Sequence, residues 1–320
     1  MHAGLPRRCG GEGSGVTVVP MAQQSDIVLT APSGVRPLLG QVSWAWIGVA
    51  PFFIFALLFL ILPTGFLFVG SFQDVDGNFT LNNLVNLTQP LILNAYWISI
   101  KVSIASALIG AAIGFFLCYA AVMGGLPRWL RPMVMTFSGV ASNFAGVPLA
   151  FAFLAALGPQ GLVTKLFIDY FDFSIYKAGF RVVSTWGLIL AYLYFQIPLM
   201  VLILAPALDG LKREWREASE ILGASAWQYW RYVALPVLWP SLLGTTILLF
   251  ANAFGAIATA YALTGSLLNL VTIQLYAQIR GDVLHDQGLG YALAFGMIVI
   301  TGLSNGAYIW LRARSDRWLR

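Results

Sequence analysis

The sequence predicts an all-α, polytopic membrane protein of about six transmembrane helices. Three observations carry this. Of the 320 residues, 59% are hydrophobic and only 10% are charged, where a soluble domain carries about 25% charged residues; the mean hydropathy is +0.79. The apolar residues gather into runs long enough to cross a bilayer, which takes about 20 residues of helix. Lys and Arg fall between those runs, with no basic stripe interleaved with aromatics. The net charge of +5 therefore reads as topology, with no nucleic-acid partner.

In chain order, residues 1–43 are polar and rich in Gly, Ser and Pro, and include Arg7, Arg8 and Arg36. They read as a disordered cytoplasmic N-terminal tail. They lack the short apolar core and cleavage site of a signal peptide. Met21 opens MAQQSD, a good natural start, so residues 1–20 are expected to come from an upstream start; an intact mass that includes His2 to Pro20 would overturn this. A transmembrane domain is expected over 44–311. Its first span runs from about Trp44 to Phe68, with Pro51 and Pro63 tolerated because neighbours re-satisfy freed carbonyls. Residues 70–90 form an external loop, whose sequons at Asn78 and Asn86 are taken as coincidence.

The second span, about Ala95 to Met123, carries a patch of small residues, Gly110, Ala111, Ala112 and Gly114, that lets helices approach closely in lipid. After a short loop with Arg128 and Arg131, a third span runs from about Met133 to Leu157. Residues 158–181 form a second external loop. The fourth span, about Val182 to Leu208, is interrupted by Gln196 and Pro198. The fifth runs from about Val237 to Leu263, an external loop covers 264–287, and the sixth runs from about Leu289 to Trp310. Residues 312–320 form a basic cytoplasmic C-terminal tail. Of the 18 Lys and Arg, only Lys165, Lys177, Arg181 and Arg280 fall outside on this scheme, with Lys101 in an outer span end. That excess puts both termini inside.

The most informative stretch is 209–236, DGLKREWREASEILGASAWQYWRYVALP. Charge is scarce elsewhere, yet Asp209, Lys212, Arg213, Glu214, Arg216, Glu217, Glu220 and Arg231 fall here. It reads as a water-exposed insertion between two spans. Leu208, Leu211, Trp215, Ala218 and Leu222 recur at helical spacing and mark one face. Gly223 suits the left-handed residue of a C-cap. Ser225 can cap a second short helix, given an apolar side by Trp227, Trp230 and Val233. Pro236 restarts the chain toward the membrane.

Glu217-Ala218-Ser219, three residues, Gly223, nine residues and then Val233-Ala234-Leu235-Pro236 resembles the EAA loop of permease subunits of binding-protein-dependent ABC importers. Ser219 and Val233 are mild departures from that pattern. The resemblance extends from about Trp44 to Arg312. It implies a type I importer permease of MetI-like architecture in a bacterial inner membrane. It also implies a coupling helix seated on a cytoplasmic ATPase dimer that binds the ATP, with Glu217, Ala218, Ser219, Gly223, Leu235 and Pro236 serving the coupling. An external solute-binding protein and a second, homologous permease follow from the same resemblance. The tract from Ala251 to Ile300 is similar to permeases for polyamines, iron(III), thiamine and phosphonate, and less similar to sugar permeases. On that resemblance the solute is a small charged one such as spermidine or putrescine.

The residues exclude other chemistry. There is no GxxxxGK[ST] phosphate cradle, no GxSxG and no HExxH. No catalytic residue, metal ligand set or cofactor is expected. Cys9 and Cys118 are too differently placed to pair, and His2 and His285 make no site. Span carboxylates are nearly absent, which disfavours a self-sufficient proton-coupled transporter. Asn143, Gln196 and Asn252 are polar groups inside apolar spans. Such groups face the bundle interior, where they either touch the solute or, as is commoner, bond neighbouring helices.

Overall fold

The computed structural model describes residues 45–316, apart from 75, 126, 128 and 281–285. The expected N-terminal tail, the proposed start at Met21, His285 and the last four residues lie outside the described residues. Contacts divide the chain into two units, one ending at Ile54 and the other Phe55–Arg320. In the first unit, the described residues 45–54 are helical and belong to α1 (Ala45–Ala56).

Phe55–Arg320 is built from helices α2 (Leu62–Gly70), α3 (Asn82–Asn86), α4 (Pro90–Met123), α5 (Leu130–Asn143), α6 (Val147–Leu157), α7 (Leu162–Phe171), α8 (Thr185–Asp209), α9 (Arg213–Ile221), α10 (Ala226–Tyr229), α11 (Leu235–Gly255), α12 (Ile257–Thr264), α13 (Val271–Arg280) and α14 (Gln287–Asp316). Two π-helical segments, Leu57–Ile61 and Trp230–Ala234, interrupt the α-helical ladder. Among the described residues the only β pairing is an isolated bridge between Gln73 and Phe79. Six stretches among the described residues are long and apolar enough to cross a membrane: Gly48–Gly70, Pro90–Met123, Val147–Phe171, Thr185–Asp209, Ala226–Gly255 and Gln287–Leu311.

Both π segments have one sequence cause. Each is followed directly by Leu-Pro, Leu62-Pro63 and Leu235-Pro236. Proline has no N–H to give, and its ring crowds the carbonyl four residues back. The ladder instead widens by one residue, so that Leu62 N–H donates to Leu57 O and Leu235 N–H to Trp230 O. The helix of the charged stretch therefore runs unbroken into the fifth span, and does not restart at Pro236 as the sequence suggested.

α8 is the central helix. It buries 67% of its apolar window because α4, α5 and α11 all pack on it. The small residues of α4 make the tightest of these contacts. A Cβ built on Gly114 would lie 2.6 Å from Met200 Cβ and 3.0 Å from Ile197 O, and one on Gly110 would lie 3.1 Å from Gln196. Ala111 is buried with them, whereas Ala112 is exposed. α8 is also continuous: Pro198 and Pro206 lie inside it, and the expected interruption at Gln196–Pro198 is absent. A membrane helix tolerates an internal proline where packed neighbours or local adjustments of the ladder re-satisfy the freed carbonyl.

The third and fifth spans, expected to be single helices, are each broken. α5 gives way to α6 at Phe144–Gly146, where Gly146 has φ +78°, a conformation open to glycine and closed to a continuing helix. α11 gives way to α12 at Ala256. α7, expected in an external loop, falls instead within the apolar stretch Val147–Phe171, and α13, in the loop expected over 264–287, is tied to α4 by Val271 N–H donating to Ser99 Oγ at 2.9 Å. α14 continues to Asp316, past the expected end of the sixth span.

Candidate functional site

The charged stretch forms a two-helix knob between α8 and α11. Its base begins at Asp209, the last residue of α8, whose carboxylate accepts from Arg131 at 2.5 Å. That pair joins the end of α8 to the start of α5. Leu208, Leu211, Tyr229 and Ala234 are buried in the same apolar cluster as Met200 and Leu204 of α8 and Cys118 of α4, with Trp215 packed against it. Trp230 stands edge-on to Tyr119 (centroids 5.1 Å, 85°) and to Phe115 (6.4 Å, 87°) of α4. The root of the knob is thus part of the core of the bundle. A close-packed core transmits displacement instead of absorbing it.

α9 carries the charge outward. Arg213 pairs with Glu217 at 3.1 Å and Arg216 with Glu220 at 3.0 Å, both one turn apart. These side chains are more than half exposed, so each pair contributes at most about 1 kcal/mol. Their use is to hold charge at fixed places on a rigid surface. The helix ends in a complete Schellman motif: Gly223 N–H donates to Glu220 O and Ala224 N–H to Ser219 O, each at 3.0 Å. Gly223 takes φ +78° with open space around it. Any side chain there, alanine included, meets backbone strain of about 1–2 kcal/mol and no clash. α10 opens on a full capping box, with Ser225 Oγ accepting from Gln228 N–H and Gln228 Oε1 accepting from Ser225 N–H.

The sequence-predicted residues divide. Glu217 and Ala218 lie on the exposed side of α9. Ser219 is buried, its hydroxyl donating to Arg216 O at 2.7 Å. Leu235 and Pro236 shape the π turn that leads into α11. Leu222, expected on the inward face, is instead 86% exposed, as is Ile221 beside it. Leu222 is the C-cap residue, so the α-helical period no longer governs its direction. Of the two bare aliphatic side chains at the tip, the sequence reading placed Leu222 on the apolar face and did not single out Ile221; their shared signal is position, immediately before the glycine turn.

The three span polar residues also separate. Gln196 is fully buried between α8 and α4, where its Nε2 donates to Ser106 Oγ at 3.0 Å and its Oε1 has no partner. It bonds helix to helix. Asn143 and Asn252 are exposed, and each sits at the end of the first half of a broken span. Asn143-Phe144-Ala145-Gly146 and Asn252-Ala253-Phe254-Gly255 repeat one Asn-x-x-Gly pattern at the two breaks, a signal the sequence carried and that went unread. Freed backbone groups at the breaks are satisfied: Gly146 N–H donates to Thr259 Oγ1 at 2.7 Å, and Tyr192 OH to Ala256 O at 2.8 Å. Tyr192→Phe strands the Ala256 carbonyl and should cost about 1–3 kcal/mol, read as a lowered unfolding midpoint of the purified chain. Among the described residues no group of three or more His, Cys, Asp or Glu is placed to hold a metal ion.

A bundle of apolar helices with two broken spans, and a charged knob rooted in its core, defines a transport permease with a handle for a partner. Residues 117–319 match the family described as "Binding-protein-dependent transport system inner membrane component". The chain belongs to that family, as a multi-pass inner-membrane permease of the ABC importer class. It is 26% identical over 264 residues to "Spermidine/putrescine transport system permease protein PotB" of Haemophilus influenzae, covering 80% of this chain and 90% of the relative. It is 29% identical over 186 residues to "Probable sulfate transport system permease protein cysT" of Chlorella vulgaris, covering 56% of this chain and 64% of the relative. Among solved structures it superposes on a chain of a bacterial ABC transporter "involved in the import of the acidic polysaccharide alginate". The TM-score is 0.64 at 16% identity, over 85% of this chain and 95% of that one, and the likeness shows the shared fold.

Proposed function

We propose that this chain forms the membrane path of an ATP-driven importer and is worked through residues 209–236 by a separate cytoplasmic ATPase. The observation that carries the reading is the continuity of the knob's root with the α4–α8 core, beneath a tip that exposes Ile221 and Leu222. Glu217 and Ala218 present the flat, charged side of α9 to the ATPase groove. ATP is bound and hydrolysed in that partner, so this chain is a conduit and not an enzyme. An external solute-binding protein delivers the solute, and a second, homologous permease completes the path. Both termini and the knob face the cytoplasm, in keeping with the placing of Lys and Arg. Isolation of the tagged chain should bring down an ATPase subunit, and a cysteine at position 221 should react with an impermeant thiol reagent only from the cytoplasmic side. Labelling from outside would end the reading.

The breaks supply the path. Discontinuous membrane helices commonly mark the place where a solute is met; here Thr259 and Tyr192 bond backbone groups at the breaks, and the exposed amides of Asn143 and Asn252 stand beside them. Both are neutral amides, which favour a polar solute without selecting its sign of charge. The solute is a small charged one, with a polyamine as the first reading. Sulfate is the second, supported by the cysT relative. Uptake of labelled spermidine and of labelled sulfate by membranes with and without the chain distinguishes them: the solute whose uptake depends on the chain is the cargo.

A further inference from the structure

A hollow at the foot of the knob is used by none of this. Between the C-terminal third of α4 and the α10–π segment, Phe115, Phe116, Tyr119, Trp227, Trp230 and Arg231 surround a cavity of about 420 Å³. Its walls are aromatic and much of them is bare: Trp227 is 72% exposed and Phe116 67%. Its one charge is Arg231, which is exposed and forms no ion pair among the described residues. The guanidinium rests 5.7 Å from the centroid of the Tyr232 ring. Of the acids of the knob, Asp209 pairs with Arg131, Glu217 with Arg213 and Glu220 with Arg216, and none of them pairs with Arg231.

Depth decides what fits. α4 ends at Met123. At 1.5 Å per residue, Tyr119 lies about 6 Å and Phe115 about 12 Å inside that end. The hollow therefore runs from the foot of the knob along the apolar C-terminal third of α4. Amphipathic aromatics favour this headgroup level, and a guanidinium with free donors matches phosphate oxygens in a fork. Phe115 and Phe116 offer acyl methylenes an apolar wall, and Arg231 offers a phosphate its charge, within one hollow.

We propose that this hollow is a binding site for one anionic phospholipid. The phosphate sits on Arg231, and the glycerol and first methylenes lie against Trp227, Trp230 and Phe116. Because Trp230 is also the contact that fastens the knob to α4, the lipid packs against the joint through which the knob is held. The hollow lies within the same stretch and shares Leu235 with the coupling residues, but the tip at Ile221 and Leu222 is outside it, so failure of the lipid site would leave the role of the tip untouched.

The test uses the full-length chain, purified with its accompanying subunits and placed in bilayer discs containing phosphatidylglycerol and phosphatidylcholine. One of the two lipids is brominated on its acyl chains in each arm. The fluorescence of Trp227 is read as the difference between the parent and Trp227→Phe. Brominated phosphatidylglycerol should occupy the site about fivefold more effectively than brominated phosphatidylcholine, the factor one basic residue near an anionic surface provides. Arg231→Gln should remove that preference, and Arg231→Lys should keep part of it. Equal quenching by the two lipids in the parent would overturn the proposal. So would a preference that Arg231→Gln leaves intact, which marks a general surface effect. Shielding of Trp227 from both lipids would assign the hollow to a protein partner instead.

Discussion

Replacing Ile221 and Leu222 together with aspartate should abolish solute uptake while the chain still inserts and folds. Both side chains are 86% exposed, so the folded chain loses almost no packing when they go. A partner that covers them loses much more. Burying a large aliphatic side chain is worth about 1.5–3 kcal/mol, so two sum to about 3–6 kcal/mol, or roughly a hundredfold to ten-thousandfold in affinity. The aspartates also place two carboxylates in a surface shaped for apolar contact, which deepens the loss. Co-isolation of the ATPase subunit measures this directly, and the chain's unfolding midpoint serves as the control. A double variant that retains its ATPase and transports normally would remove the tip from the coupling surface. Glu217→Lys is the milder companion. It breaks an exposed pair with Arg213 that contributes at most about 1 kcal/mol to the fold, but it reverses a charge on the exposed side of α9. Its uptake defect should exceed any change in stability.

The features that were legible in the sequence are those decided locally. Gly223 had to be a C-cap because a helical run stops at a residue free to take positive φ, and it takes φ +78°. Ser225 had to be an N-cap because a hydroxyl there satisfies an otherwise free N–H, and it does so at Gln228. The apolar runs had to be spans because nothing else in their composition could remain in water. What was not legible depends on neighbours far along the chain. Whether Pro198 breaks α8 depends on the helices packed around it, and α8 runs straight through. Whether the third and fifth spans break depends on acceptors and donors elsewhere: Thr259 stands over Gly146, and Tyr192 over Ala256. Prolines misled twice in the same direction, since Pro236 likewise gave a π turn in place of a stop. Leu222 misled for a smaller reason, because one residue past the last helical turn the period of 3.6 carries no information.

Gly114→Leu should be the most damaging single change in the membrane-spanning part. Lipid is as apolar as a leucine side chain, so membrane helices associate by close packing and not by expulsion of water. α4 and α8 rely on that closeness at Gly110 and Gly114. A Cβ at position 114 would lie 2.6 Å from Met200 Cβ and 3.0 Å from the Ile197 carbonyl oxygen. Neither atom is the loose end of a side chain that could swing aside, so the two helices must separate. Overpacking of this kind costs about 1–3 kcal/mol even where a core can adjust. Here the separation also pulls Gln196 away from Ser106 and leaves its amide without a bond in the least polar part of the molecule. Gly302→Leu on α14 is the matched control, since nothing lies within 4 Å of a Cβ there. The expected result is a Gly114→Leu chain that is poorly recovered from membranes and unfolds at a much lower temperature, beside a Gly302→Leu chain close to the parent. Equal behaviour of the two variants would mean that the α4–α8 contact does not set the stability of the bundle. Gly110→Ala should fall between them, because its added methyl meets Gln196 Cβ and Oε1 at 3.1 Å, a milder crowding than the 2.6 Å at position 114.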